Sequence, residues 1–168
     1  VTDPNIPYKE KAVMKKITTG RSVAKFGDDI AKRPGAENIR KCFSCGTCTG
    51  GCPVFQVESG YNPRKIIRMI LLGLREEVLC SKMIWLCARC YACTANCPQN
   101  VSFADIMTVL RVMAIEAGYA SSEMMHKIET LNLAMNELRK DGINLVTGAG
   151  DSTKEKIEQK IKSCLEQL

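Results

Sequence analysis

Cys42-Phe43-Ser44-Cys45-Gly46-Thr47-Cys48-Thr49-Gly50-Gly51-Cys52-Pro53 is one of two stretches with the same cysteine spacing. The other is Cys87-Ala88-Arg89-Cys90-Tyr91-Ala92-Cys93-Thr94-Ala95-Asn96-Cys97-Pro98, and together they use eight of the ten cysteines. Thiolates at i, i+3 and i+6 let one tight coil of backbone grip three corners of a cubane iron–sulfur cluster. The short spacers also turn backbone N–H groups toward the cluster sulfurs, a negatively charged target. In the first run Gly46, Gly50 and Gly51 permit that close approach, because they carry no Cβ. The pattern predicts two [4Fe–4S] clusters and one-electron chemistry.

The fourth cysteine of each run stands one residue further on and points away from the cube that its neighbours hold. In two-cluster proteins it ligates the other cluster. The expected ligand sets are therefore Cys42, Cys45, Cys48 and Cys97 for one cube, and Cys87, Cys90, Cys93 and Cys52 for the other. Pro53 and Pro98 turn the chain away and bring no N–H that needs a partner. Zinc suits this run poorly, since its sites use paired Cys-x-x-Cys or Cys/His sets. A disulfide framework needs an oxidising compartment, and no signal peptide is evident at the N-terminus.

Among 168 residues, 45% are hydrophobic, and the longest apolar stretches, near Met69 to Leu74 and Met83 to Ala88, are too short to span a bilayer. With oxygen-sensitive clusters and no targeting segment, the expected location is the cytoplasm, without a membrane partner. The formal charge of +6 looks at first like a nucleic-acid footprint. Each cube with four thiolates carries about −2, so two clusters bring the holo-protein down to about +2. No block of five or six like charges occurs and aromatics are 5% of residues, so no nucleic-acid partner is expected.

Helical signals surround the cysteines. Val1 to Gly20 is polar and lysine-rich, reading as a solvated arm with a short helix from Lys9 to Thr18. An amphipathic stretch, Val23 to Lys32, stops at Arg33-Pro34-Gly35. Asn62-Pro63 starts a helix whose apolar face is Ile66, Ile67, Ile70, Leu71 and Leu74. Ser102-x-x-Asp105 resembles a capping signal for a helix running to about Gly118, and another runs from Ser122 to about Asp141, with Gly142 as its stop. Gly142 to Gly150 reads as a linker, after which Ser152-x-x-Glu155 opens a final amphipathic helix. No alternating strand pattern competes, so the expected class is all-α. Expected boundaries are 1–35 for an N-terminal extension, 36–141 for the domain holding both clusters, and 142–168 for a linker and a C-terminal helix suited to docking on a partner.

Cys42 to Val54, Asn62-Pro63-Arg64-Lys65 and Trp85 to Pro98 resemble the C subunit of soluble heterodisulfide reductase, within the α-helical ferredoxin superfamily. The likeness covers roughly Ile39 to Met107. Related proteins with a plant-type [2Fe–2S] domain or adjacent Cys-Cys pairs fit less well, since neither feature is present. The resemblance implies an α-helical ferredoxin fold with two [4Fe–4S] clusters and helical N- and C-terminal extensions. It implies an electron-transfer role, without an active site, in a complex with a flavin-containing A subunit and a catalytic B subunit. The substrate implied for that catalytic chain is the mixed disulfide of coenzyme M and coenzyme B. A related sulfur-oxidising system, an anaerobic dehydrogenase and a free ferredoxin are the alternatives.

Outside the ligand pattern, Cys80 and Cys164 are expected to pack as small hydrophobes, and His126 has no metal-binding companion. Trp85 and Tyr91 are expected to form a water-excluding shell beside the second run. Ser44, Thr47 and Thr49 are candidate donors to the first cube, and Arg89 or Thr94 to the second.

Overall fold

The computed structural model describes residues 21–167; the arm and the short helix expected between Val1 and Gly20 lie outside them. The described residues are helical with no strand, as the all-α class requires. They divide into two compact units, one ending at Ala120 and the other beginning at Ser121.

In the first unit, α1 (Arg21–Ala31) buries Phe26 and Ile30. It ends before Pro34, and Gly35 takes a left-handed φ of +81°. A Cβ there would stand 2.9 Å from the Cβ of Asp105, so backbone conformation and space both require glycine. A short 3₁₀ turn, Glu37–Lys41, then delivers the chain to the first cysteine run. The run holds α2 (Thr47–Gly50) and leads into α3 (Pro53–Val57), with Pro53 at its first turn.

Helix α4 (Pro63–Leu71) starts where the sequence indicates. The Asn62 carboxamide oxygen accepts from the Lys65 N–H at 3.0 Å. Ile66, Ile67 and Ile70 are buried as expected, but the helix closes after Leu71, and Leu74 instead precedes the short α5 (Arg75–Leu79). A 3₁₀ turn, Lys82–Trp85, then feeds the second cysteine run, which contains α6 (Ala92–Ala95).

Helix α7 (Phe103–Glu116) is the axis of this unit and packs against α1, α5, α6 and the 3₁₀ turn before Cys87. Ile106, Met107, Leu110, Met113 and Ala114 are all buried. Each large apolar side chain so buried contributes roughly 1.5–3 kcal/mol relative to exposure. Ser102 caps this helix by position only, since its side chain makes no capping hydrogen bond.

The second unit is a pair of packed helices, α8 (Ser122–Thr147) and α9 (Lys154–Gln167). The expected stop at Gly142 is passed over, and α8 ends at Gly148, whose φ is +66°. One glycine inside a long helix costs only about 1 kcal/mol, too little to end it. The final helix is capped one residue later than expected: the Thr153 hydroxyl accepts from the Lys156 N–H, whereas Ser152 bonds the Asp141 carboxylate. Lys160 bridges Asp141 at 2.6 Å and Glu137 at 3.3 Å, tying α9 to α8.

Candidate metal centres

The two cysteine runs repeat in backbone as well as in sequence. The short helices carrying Cys48 and Cys93, α2 and α6, pack on each other. Two positions in each run adopt a left-handed conformation: Ser44 (φ 60°) and Gly46 (φ 91°), matched by Arg89 (φ 50°) and Tyr91 (φ 59°). A non-glycine residue held there costs of order 1–3 kcal/mol, which the surrounding site must offset. Gly46 thus meets the expected requirement. Gly50 and Gly51 have no left-handed φ, and no protein atom comes closer than 3.6 Å to a Cβ built on either.

Around these turns lie two cavities. Cys42, Cys45, Cys48 and Cys97 line the first, with Arg64 and Phe103 among their neighbours. Cys52, Cys87, Cys90 and Cys93 line the second, with Tyr61, Arg89, Tyr91 and Phe103. Each cavity thus receives three thiols from one run and the fourth cysteine of the other. Phe103, buried at the start of α7, walls both.

The donors fit cubane clusters. Backbone N–H groups already reach sulfur: Arg89 N–H to Cys87 Sγ at 3.4 Å and Val101 N–H to Cys97 Sγ at 3.3 Å. The Thr94 hydroxyl is buried beside the Cys93 thiol, where it can donate to cluster sulfur.

Electrostatics differ between the thiols. Burial pushes Cys48 up, and burial together with the nearby Cys87 pushes Cys93 up to about 11. Cys45 lies at the surface, and its hydrogen bond with the Thr47 hydroxyl at 3.4 Å lowers it. Tyr61 is buried against the second cavity; burial first, then the adjacent Cys87 sulfur to which its hydroxyl is hydrogen-bonded, hold the phenol strongly protonated.

One expected donor has another duty. The Thr49 hydroxyl donates to Asn62 Oδ1 at 3.1 Å and accepts the Arg64 N–H at 3.0 Å, tying the first cysteine loop to the start of α4. Ser44 lines the first cavity. Trp85 is buried as expected; Tyr91 lines the second cavity but is 40% exposed and accepts a hydrogen bond from Arg89 at 3.1 Å, so it shields the cavity only in part. Cys80 and Cys164 are half-buried, and His126 is exposed on α8.

Sequence reasoning missed Arg111. It is 1% exposed and donates to the carbonyls of Ile84 at 2.8 Å, Trp85 at 3.2 Å and Cys87 at 2.8 Å, with its guanidinium 5.8 Å from the Trp85 ring. The available signal was a lone charge within the apolar run of α7, because a buried cation must find partners. Phe103 and Tyr61 carried no comparable signal.

Residues 38–101 match the family of 4Fe-4S dicluster domains. The C subunit of the H2:CoB-CoM heterodisulfide,ferredoxin reductase of Methanothermobacter thermautotrophicus is 36% identical over 103 residues, covering 61% of this chain and 55% of the relative. An iron-sulfur C subunit of the CoB–CoM heterodisulfide reductase of Methanocaldococcus jannaschii is 41% identical over 102 residues, 61% of this chain and 50% of the relative. The C subunit of the ferredoxin:CoB-CoM heterodisulfide reductase of Methanosarcina acetivorans is 34% identical over 136 residues, 81% of this chain and 53% of the relative. The chain spans about half the length of the curated relatives it matches. No described helix is long and apolar enough to cross a membrane. With a dicluster domain that brings four thiols to each of two adjoining cavities, the chain is a homologue of the archaeal heterodisulfide reductase C subunits.

Proposed function

We propose that this chain is the electron-transfer component of a cytoplasmic heterodisulfide reductase complex. It works between a flavin-bearing chain and a catalytic chain that reduces the mixed disulfide of coenzyme M and coenzyme B, and it has no active site of its own. Cys42, Cys45, Cys48 and Cys97 hold one [4Fe–4S] cluster; Cys87, Cys90, Cys93 and Cys52 hold the other. When bound, the clusters supply reversible one-electron redox chemistry.

The observation that carries this reading is Phe103 as the common wall of two four-thiol cavities. One aromatic side chain between two redox sites suits a relay. The chain's own part is positional: α2 and α6 fix the third cysteine of each run, and α7 holds the shared wall. Tyr61, Phe103 and Ala104 exclude water from the second cavity. The exposed Cys45 and Cys90 leave one edge of each cavity near the surface, where electrons can enter and leave.

Anaerobically purified material should contain about eight irons per chain. Native material should elute as a complex, with the flavin and catalytic chains identified by mass spectrometry. About four irons would remove the two-cluster reading, and a lone monomer would remove the complex.

A further inference from the structure

Beside the first cavity runs an open groove lined by Cys42, Phe43, Ser44, Arg64, Lys65, Arg68, Met69 and Leu72. Four of these residues, Cys42, Phe43, Ser44 and Arg64, also line the cavity itself, so the two spaces share a wall. Phe43 is 60% exposed and offers an aromatic contact at the surface. Arg64, Lys65 and Arg68 are exposed along α4. No ion pair among the described residues engages them. The groove therefore combines the apolar Phe43, Met69 and Leu72 with the cationic Arg64, Lys65 and Arg68, and reaches a cysteine of the first run.

We propose that this groove docks an acidic face of a redox protein and is the port through which electrons reach or leave the cluster of Cys42, Cys45, Cys48 and Cys97. The inference rests on the two-cluster reading above and adds the chemistry of the partner and the place where it binds. Cationic rims attract carboxylates at long range and orient the encounter, while a central aromatic anchor supplies the short-range contact. Transfer through this port is direct, because the partner's edge would abut the wall that the groove and the cavity share. Arg64 has a second task, since its Nη1 lies 3.4 Å from the position of a Cβ on Gly46, over the cysteine loop. Lys65 and Arg68 line the groove alone and serve only the partner.

The test uses the full chain with both clusters, confirmed by iron content and EPR before each run. Reduced protein is mixed in a stopped-flow instrument with an acidic flavodoxin as electron acceptor, and separately with cationic cytochrome c. The double variant Lys65→Glu/Arg68→Glu should slow transfer to flavodoxin about ten-fold or more at low salt, with the difference fading as salt rises. Transfer to cytochrome c should be unchanged or faster, and both EPR signals should be retained. Phe43→Ala should slow the flavodoxin reaction at every salt concentration. Equal rates for wild type and double variant, or equal slowing toward both acceptors, would overturn the port. In the native complex, a carbodiimide should couple Lys65 to a carboxylate of another chain; coupling only within its own chain would also overturn it. Loss of a cluster signal in the wild type would instead count against the two-cluster reading, so the two failures are distinct.

Discussion

Arg111 Nη2 lies 2.8 Å from the carbonyl oxygen of Cys87, and the same guanidinium holds the carbonyls of Ile84 and Trp85. One side chain of α7 thus fixes the turn that delivers the second cysteine run. Arg111→Met should leave three buried carbonyls without this donor and destabilise the fold by roughly 3 kcal/mol or more. Arg111→Lys should recover only part of that, because an ammonium lacks the planar fork. Denaturant melts of the cluster-loaded protein check this, together with EPR of the second cluster, which should be the more oxygen-labile in both variants. An unchanged midpoint for Arg111→Met would exclude the clamp.

The ligand crossing is open to a single substitution. Cys52→Ser should disturb the cluster held by Cys87, Cys90 and Cys93, leaving the other with all four thiolates. EPR and iron content report it, with iron falling from about eight toward about four per chain if the altered cube is lost. Loss of the Cys42, Cys45 and Cys48 cluster alone would refute the crossed assignment.

Gly46 and Gly50 occupy one loop and should respond differently. Gly46→Ala forces a Cβ onto a left-handed φ and should cost about 1–2 kcal/mol in a thermal or denaturant melt. Gly50 has open space around its Cβ direction and an ordinary φ, so Gly50→Ala should leave the apo-protein's stability unchanged within about 0.5 kcal/mol. A cost for Gly50→Ala only in the cluster-loaded protein would show the cluster itself to be the neighbour.

Without iron, the buried thiols make stability depend on pH. Cys93 rises from 9.0 to about 11 and Cys48 also rises, both chiefly through burial. A folded-state pKa above the unfolded one means that the fold favours the protonated thiol. That contribution is complete below the ordinary thiol range and is lost as pH rises through about 11. Apo-protein should therefore be less resistant to urea at about pH 10.5 than at about pH 8, and Cys93→Ser should reduce the difference. The cluster-loaded protein should lack this part of the slope, because its ligating thiolates carry no proton to lose.

The α8–α9 pair has its own pH window. The hydrogen bond from Lys160 holds Asp141 below its usual range, and the Asp141 and Glu137 carboxylates raise Lys160. The Asp141 contribution is present above the ordinary carboxylate pKa and is lost as pH falls through the lowered value. The Lys160 contribution is present below the ordinary lysine pKa and is lost as pH rises through the raised one. Amide protection factors in α9, taken relative to the intrinsic exchange rate at each pH, should fall on acidification, and Asp141→Asn should lower them already at neutral pH. Protection identical in wild type and Asp141→Asn would show that the bridge does not hold the pair.

Legibility in the sequence followed the range of the interactions involved. Asn62-Pro63, Pro34-Gly35 and the spacing of Ile66, Ile67 and Ile70 act within one or two turns, and each is used where its local chemistry indicates. Gly142 misled because a glycine is permissive rather than prohibitive inside a helix, and Thr153 displaced Ser152 as a cap because two neighbouring hydroxyls compete for one helix end. Tyr91 met its expectation only in part, since it lines the second cavity from a left-handed backbone position yet is 40% exposed.

The sequence by itself determined the donor chemistry: eight thiols in two runs of fixed spacing, a helical frame, and the likeness to the reductase C subunits. Those are properties of residue type and short separation, and they hold before any long-range contact forms. Only the tertiary structure decided that Phe103 walls both cavities, that Arg111 clamps the turn before Cys87, and that a cationic groove opens beside Cys42. Each joins residues far apart in the chain, where packing of α4 and α7 around the cysteine loops, rather than any local preference, sets which side chains meet.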